Sequence, residues 1–100
     1  MPQVIWTPVA ESDLDDILFY IAFIDRRPST GERLYFEIRD RVTQCAEQGL
    51  AGHDHPDAPA GWQYLKHKRW LIFFQPHSEG IEVMRVVDSA RDLPRHLRGV

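Results

Sequence analysis

The chain has 100 residues, enough for one small hydrophobic core, and we expect a single domain over residues 1–100. This length excludes a two-domain enzyme. Hydrophobic residues make up 43% of the chain and charged residues 27%, which is typical of a globular protein and not of a disordered or fibrous one. The net charge of −3 argues against nucleic-acid binding by bulk charge, because such binding depends on cations that displace counterions from phosphates.

The sequence predicts a cytoplasmic protein with no membrane association. No stretch approaches the roughly 20 apolar residues of a membrane helix, and the first residues lack the charged start and apolar run of a secretion signal. The single Cys45 can form no internal disulfide, and no cysteine and histidine set has zinc spacing. Folding is therefore expected to depend on core packing, without a metal or cofactor.

Charge is distributed unevenly along the chain. Residues 1–61 hold five basic and eleven acidic residues, a net charge of −6, whereas residues 62–100 hold seven basic and four acidic residues, a net charge of +3. The two parts are expected to contact different partners.

The first elements are a strand and a helix. Residues 2–6 are rich in β-favouring side chains and predict a strand. Thr7 and Pro8 then predict a helix start, since threonine caps free amides and proline at the first helical position loses no hydrogen bond. An apolar stripe at spacings of three and four predicts the core face of this helix, formed by Ala10, Leu14, Ile17, Ile21 and Ile24.

A second helix is expected to pack against the first as an antiparallel hairpin. Ser29 with Glu32 fits a capping box that opens this helix, and Gly49 supplies its end. Residues 50–61 are rich in Gly, Pro, Asp and His without periodicity, which predicts a surface connection.

The basic part of the chain is predicted to form three antiparallel strands, at residues 62–66, 70–75 and 81–87, followed by a short terminal helix at residues 90–97. The fold class is therefore α+β, with the order β-α-α-β-β-β and the helical hairpin on one face of a four-stranded, mainly antiparallel sheet. Alternation in the last strand places Ile81, Val83, Arg85 and Val87 on one face. The sheet face away from the helices, if open, would display strand residues to a target.

These elements and two strings resemble the RelE/ParE superfamily of bacterial toxins, in its ParE or plasmid-stabilisation branch. The first string is WTPVAESDLDDILFYIA at residues 6–22, similar to the first strand and helix of that family. The second is YLKHKRWLIFFQPHSEGIEVMRVVDSARDL at residues 64–93, similar to the family's paired core strands with an arginine in the last one. The resemblance spans nearly the whole chain.

The resemblance implies a toxin of a type II toxin–antitoxin pair. Such a toxin is neutralised by a small cognate antitoxin, ParD-like or similar, and contacts operator DNA only through that antitoxin. ParE-like members inhibit DNA gyrase by binding, without nuclease chemistry, whereas RelE-like members cleave messenger RNA on the ribosome. Gyrase inhibition is the favoured interpretation here, and the endonuclease is the alternative.

The endonuclease alternative would use Arg85, Arg91 and His96, because RNA cleavage needs cations on the phosphate and a proton donor for the leaving oxygen. Two positions depart from the nuclease pattern. Leu71 stands near a basic position of the central strand, and Leu97 stands near the C-terminal catalytic tyrosine. No catalytic residue is therefore expected in the ParE-like interpretation.

Six residues are candidates for target binding: Arg69, Trp70, Arg85, Arg91, Arg95 and Arg98. The last three are spaced by four and three, which places them on one face of the predicted terminal helix. Either they form a solvated basic face, or they bind an acidic surface of gyrase or of the antitoxin. Arg85 could instead form a structural ion pair, with Asp88 or with an acid of the helices.

Three aromatic residues of the first helix, Phe19, Tyr20 and Phe23, lie beside its core face. Either they pack under residues 50–61, or they belong to a groove that accepts an apolar antitoxin helix. The acidic helical part would then suit an antitoxin that carries Arg or Lys. His53, His55 and Asp57 form a string that could bind a transition metal, but two ligands on such a loop arise easily by chance, and no metal is expected.

Overall fold

The computed structural model describes residues 2–49 and 51–90. The elements in chain order are β1 (Gln3–Trp6), α1 (Pro8–Phe19), a π-helical turn (Tyr20–Ile24), α2 (Pro28–Gln48), β2 (His53–Asp54), β3 (Gln63–His67), β4 (Trp70–His77) and β5 (Gly80–Asp88). The predicted strand, helical hairpin and three-stranded meander are confirmed. The predicted terminal helix lies outside the described residues except for Ala90, which is in a turn.

Within residues 2–49 and 51–90 the sheet has five strands in the order β1-β5-β4-β3-β2, so the prediction of a four-stranded sheet is wrong by one strand. The extra strand arises in the predicted surface connection, where His53 and Asp54 pair antiparallel with Tyr64 and Gln63. β1 runs parallel to β5, and the other neighbours are antiparallel. The two helices lie on one face of this mixed sheet, and no helix among residues 2–49 and 51–90 is long and apolar enough to cross a membrane.

Capping by nearby residues sets two of the predicted helix ends, but not the start of α2. The Thr7 hydroxyl accepts a hydrogen bond from the Ala10 N–H at 3.1 Å and donates one to the Val83 carbonyl at 2.9 Å, so the predicted cap also ties α1 to β5. Gly49 ends α2 in the left-handed conformation, as predicted. The predicted capping box at Ser29 is wrong, because α2 already begins at Pro28, one residue earlier, and no side chain caps it.

The helical stripe of α1 is interrupted after Phe19. Ala10, Leu14 and Ile17 are buried as predicted, but Ile24 is 58% exposed. The Asp25 N–H bonds to the Tyr20 carbonyl five residues earlier, at 2.9 Å, and this wider turn rotates the following side chains relative to an α-helix.

The main core lies between the helices and the sheet. Its fully buried side chains include Leu14 on α1, Ile38 and Val42 on α2, Ile72 on β4 and Val83 on β5. A bulge leaves Met84 unpaired between Phe73 and Phe74 of β4 and changes the alternation of β5. The predicted common face of residues 81–87 is therefore wrong: Val86 packs in the main core, and Val87 packs on the opposite face.

The sheet face away from the helices carries a second, smaller core. Phe73 is fully buried there, and the ring centroids of His55, Tyr64 and Trp62 lie 5.7, 5.9 and 6.2 Å from its own. Ala58 also packs against this cluster. The connection between β2 and β3 therefore covers part of this face, so the condition of an open face for a target is not met there.

Gly80 is needed where β1 meets β5. Its φ angle is +155°, and a Cβ at this position would overlap the Gln3 carbonyl oxygen. We expect Gly80→Ala to lower the free energy of unfolding by about 2 kcal/mol, because the chain must shift to relieve this contact. Urea denaturation followed by circular dichroism measures the loss.

Gly61→Ala is the matched control for this prediction. Gly61 also has a positive φ angle, +87°, but a Cβ there meets no atom within 4 Å. This variant retains the backbone strain without the contact, so its loss should be smaller, about 1 kcal/mol. Equal losses in the two variants would contradict a steric role for Gly80.

Candidate functional site

An aromatic patch is exposed at the end of the first helix. The patch consists of Phe19, Tyr20, Phe23 and Ile24, which are 57%, 56%, 68% and 58% exposed. The ring centroids of Phe19 and Phe23 are 5.2 Å apart, so these two side chains form one surface. The residues do not pack under residues 51–61, because their side chains are exposed. Large apolar groups grouped in this way are typical of surfaces that bind another protein.

A groove of about 550 Å³ lies next to the aromatic patch. Its walls are the end of α1 with the π-helical turn, the start of α2, and the turn between β3 and β4 with the end of β5. Apolar parts of the lining come from Ile17, Ile21, Leu34 and Trp70. Tyr20 belongs to both the patch and the groove, so the two surfaces are continuous.

The ion pair between Arg85 and Asp13 joins β5 to α1 at the groove. The Arg85 Nε and Nη2 donate to the two Asp13 carboxylate oxygens at 2.7 and 3.2 Å, and the Val86 N–H donates to the same carboxylate at 3.0 Å. The side chains of Arg85 and Asp13 are only 14% and 16% exposed. Asp13 is an acid of a helix, so this one of the two structural pairs considered for Arg85 is present. The proposed contact of Arg85 with a target stays a prediction.

A second ion pair joins the β3–β4 turn to the end of β5. The Arg69 Nη2 bonds to the Asp88 carboxylate, which also accepts the Ala90 N–H at 3.0 Å. This hydrogen bond raises the pKa of Arg69 above its usual value. The Arg69 guanidinium lies 5.3 Å from the ring centroid of Trp70, which is half-buried against the main core. One side of Trp70 therefore lines the groove, and the residue is only partly exposed.

Glu37 on α2 connects the second helix to the same turn. Its carboxylate lies 3.0 Å from the His67 Nε2 and 3.0 Å from the Lys68 Nζ. Two hydrogen bonds lower the pKa of Glu37 below its usual value. The one from His67 has the larger effect, and the one from Lys68 has the smaller. These contacts hold the turn that carries Lys68, Arg69 and Trp70 against α2.

The structure brings together half of the predicted target-binding residues. Arg69, Trp70 and Arg85 line one groove, and Tyr20 of the predicted antitoxin-binding set lines it too. The other half consists of Arg91, Arg95 and Arg98, which lie outside the described residues. The nuclease candidate His96 lies outside them too. Lys68, which the sequence places beside Arg69, lines the groove as well, whereas Arg33 was not predicted, and only its basic character could have suggested it.

The string of His53, His55 and Asp57 is not arranged as a metal site. Residues 2–49 and 51–90 contain no group of three His, Cys, Asp or Glu side chains that could hold an ion. The His55 Nδ1 accepts the Asp57 N–H at 3.1 Å, and its ring packs against Tyr64 and Phe73. His55 therefore serves the second core.

The fold and the site define a class: a small α+β protein with a helical hairpin on a mixed sheet and an exposed apolar surface beside a charged groove. Comparison with known proteins narrows this class. The family model described as ParE toxin of type II toxin–antitoxin system, parDE, matches residues 4–93, and the chain belongs to this family.

A solved structure of the chromosomal ParDE toxin–antitoxin system from P. aeruginosa is similar in fold, with a TM-score of 0.71. The alignment covers 88% of this chain and 96% of that chain at 22% sequence identity. No curated protein matches the sequence.

Proposed function

We propose that this ParE-family toxin inhibits DNA gyrase by binding it, and that a cognate antitoxin neutralises the toxin by covering the aromatic patch and the groove. The observation that carries the proposal is the continuity of these two surfaces through Tyr20. A partner that covers the exposed rings of Phe19 and Phe23 extends without interruption to Arg69 and Trp70.

The groove suits contacts with a protein target. Arg69 has an exposed guanidinium beside the half-buried ring of Trp70, and arginine with an aromatic ring is a common pair at the centre of protein interfaces. Arg91, Arg95 and Arg98 follow Asp88 closely in the sequence and add three cations to this part of the chain. Because gyrase acts in the cytoplasm, the proposal also places the protein there, as a single domain.

The endonuclease alternative has less support. Arg85 would have to bind a phosphate, but its guanidinium already holds the Asp13 carboxylate in a largely covered position. A scissile phosphate would compete with this ion pair. The remaining candidates of the alternative, Arg91 and His96, lie outside the described residues.

The test is supercoiling of relaxed plasmid by purified gyrase with ATP, titrated with the full chain. We expect a dose-dependent loss of supercoiled product. Arg69→Ala should raise the concentration needed for half inhibition by about tenfold, since one exposed charged contact of this kind contributes about 1.4 kcal/mol.

Lys66→Ala is the matched control in this assay. Lys66 is exposed on β3 and does not line the groove, so this variant should inhibit like the unchanged chain. Full supercoiling at a large molar excess of folded protein would reject gyrase as the target. Ribosome-dependent cleavage of messenger RNA, compared between the unchanged chain and Arg91→Ala, would then test the alternative.

A further inference from the structure

The turn between β3 and β4 carries residues that the proposed function assigns to the target. His67 pairs with Trp70, so only Lys68 and Arg69 connect the two strands. Lys68 has a φ angle of +56°, in the left-handed region that favours glycine. A lysine backbone in this conformation is strained, and such strain persists only where surrounding contacts hold it in place.

Contacts with the end of β5 hold one side of this turn. The Ser89 N–H donates to the Arg69 carbonyl at 2.8 Å, and the Arg69 guanidinium is paired with the Asp88 carboxylate. Both contacts are made by the residue that leads into β4. Neither involves Lys68, so the support for the strained residue comes from another element.

Glu37 of α2 holds the other side of the turn. Its Oε1 atom lies 3.0 Å from the His67 Nε2 and 3.0 Å from the Lys68 Nζ. One carboxylate oxygen therefore binds the last residue of β3 and the strained residue that follows it. Because both hydrogen bonds lower the pKa of Glu37, the carboxylate stays charged at neutral pH.

Glu37 lies behind the turn and not in the groove. Lys68, Arg69 and Trp70 line the groove, whereas Glu37 and His67 are not among the described residues that do. A partner in the groove therefore meets the turn, and Glu37 acts on that partner only through the turn.

We infer that Glu37 is a positioning residue for target binding: it fixes the β3–β4 turn, so that Arg69 and Trp70 meet gyrase in one prearranged position. The identity of the target rests on the proposed function. Groups that are ordered before binding lose less conformational entropy when the complex forms. Glu37 thus strengthens the interaction without touching the target.

Gyrase inhibition by Glu37→Ala tests this role. We expect the concentration needed for half inhibition to rise about fivefold, because the turn must then be ordered on binding. Circular dichroism checks that the variant is folded at the assay temperature, where a role in stability alone would leave inhibition unchanged. Inhibition equal to that of the unchanged chain would overturn the inference.

Asp40→Ala is the matched control. Asp40 lies on the same helix, is exposed, and neither forms an ion pair with the described residues nor lines the groove. Its substitution makes the same change in net charge and should leave inhibition unchanged. Equal weakening by the two variants would show a general charge effect and would contradict a positioning role for Glu37.

Backbone order parameters from nitrogen-15 relaxation, measured on the full chain, show whether the turn itself responds. In Glu37→Ala the amides of Lys68 and Arg69 should fall from the roughly 0.85 of rigid backbone toward the roughly 0.6 of a flexible loop, whereas those within β4 should not change. Glu37→Gln keeps an acceptor oxygen and should restore part of the order and part of the inhibition. A turn that stays ordered in Glu37→Ala would contradict the inference.

Failure of the proposed function is read separately from failure of this inference. If the unchanged chain has no effect on supercoiling, gyrase is rejected as the target. The order parameters then still decide whether Glu37 positions Arg69 and Trp70.

Discussion

Replacing Phe73 by alanine is expected to lower the free energy of unfolding by about 4 kcal/mol. The side chain is fully buried on β4, on the sheet face away from the helices. There it packs against the rings of Trp62, Tyr64 and His55. Removing the ring takes away these contacts. The segment before β3 is held in place by the same cluster, so it does not close the space and a cavity remains.

Urea denaturation followed by circular dichroism measures this loss, and Phe23→Ala is the matched control. Phe23 is 68% exposed, so the same substitution there should change the free energy of unfolding by less than about 0.5 kcal/mol. A loss at Phe73 as small as that at Phe23 would show that the second core does not contribute to stability. A large loss at Phe73 alone would confirm that the protein depends on both faces of its sheet.

The elements that the sequence predicted correctly are those set by neighbouring residues. The cap at Thr7, the proline after it and the glycine at the end of α2 act over one helical turn, and the apolar stripes repeat within one element. These signals were sufficient for the strand, the helical hairpin and the meander. The same stripe placed Phe19 and Phe23 beside the core face, but it left their exposure open and wrongly assigned Ile24 to the core.

The features that the sequence did not predict depend on contacts between distant segments. Residues 51–61 have no periodicity, so nothing indicated that Ala58 and His55 would cover Phe73. The π-helical turn that exposes Ile24 and the bulge at Met84 each change the side to which later residues point. Periodicity assumes regular geometry, and it fails where one residue is inserted.

The groove could not be predicted from the sequence for the same reason. It is formed by three segments, and each of them contributes charged side chains to its lining. The counts of charge over residues 1–61 and 62–100 could not supply this. They assigned the helical hairpin a negative surface, whereas Arg27 and Arg33 of that hairpin join Lys68 and Arg69 at the groove.

Replacing Asp13 by alanine is expected to lower the free energy of unfolding by about 3 kcal/mol, measured by urea denaturation. The carboxylate accepts two hydrogen bonds from Arg85 and one from the Val86 N–H, and both charged side chains are largely covered. The variant leaves the Arg85 charge in place without its carboxylate, and removal of one member of a buried ion pair is more costly than the net value of the pair.

Asp15→Ala is the control, since Asp15 lies on the same helix, is exposed and forms no ion pair with the described residues. Its loss should stay below about 0.5 kcal/mol. The variant lacking both Asp13 and Arg85 should be more stable than the sum of the two single losses indicates, by about 1 kcal/mol or more. Additive losses would contradict a direct coupling between the two side chains.

The same variants separate the structural role of Arg85 from a contact with the target. Asp13→Ala and Arg85→Ala both break the ion pair, but only the second removes the guanidinium. At a temperature where both variants are folded, a target contact by Arg85 predicts weaker gyrase inhibition for Arg85→Ala and retained inhibition for Asp13→Ala. Equal inhibition by the two variants would limit Arg85 to holding β5 against α1, and Arg69 and Trp70 would then be the described residues left to bind the target.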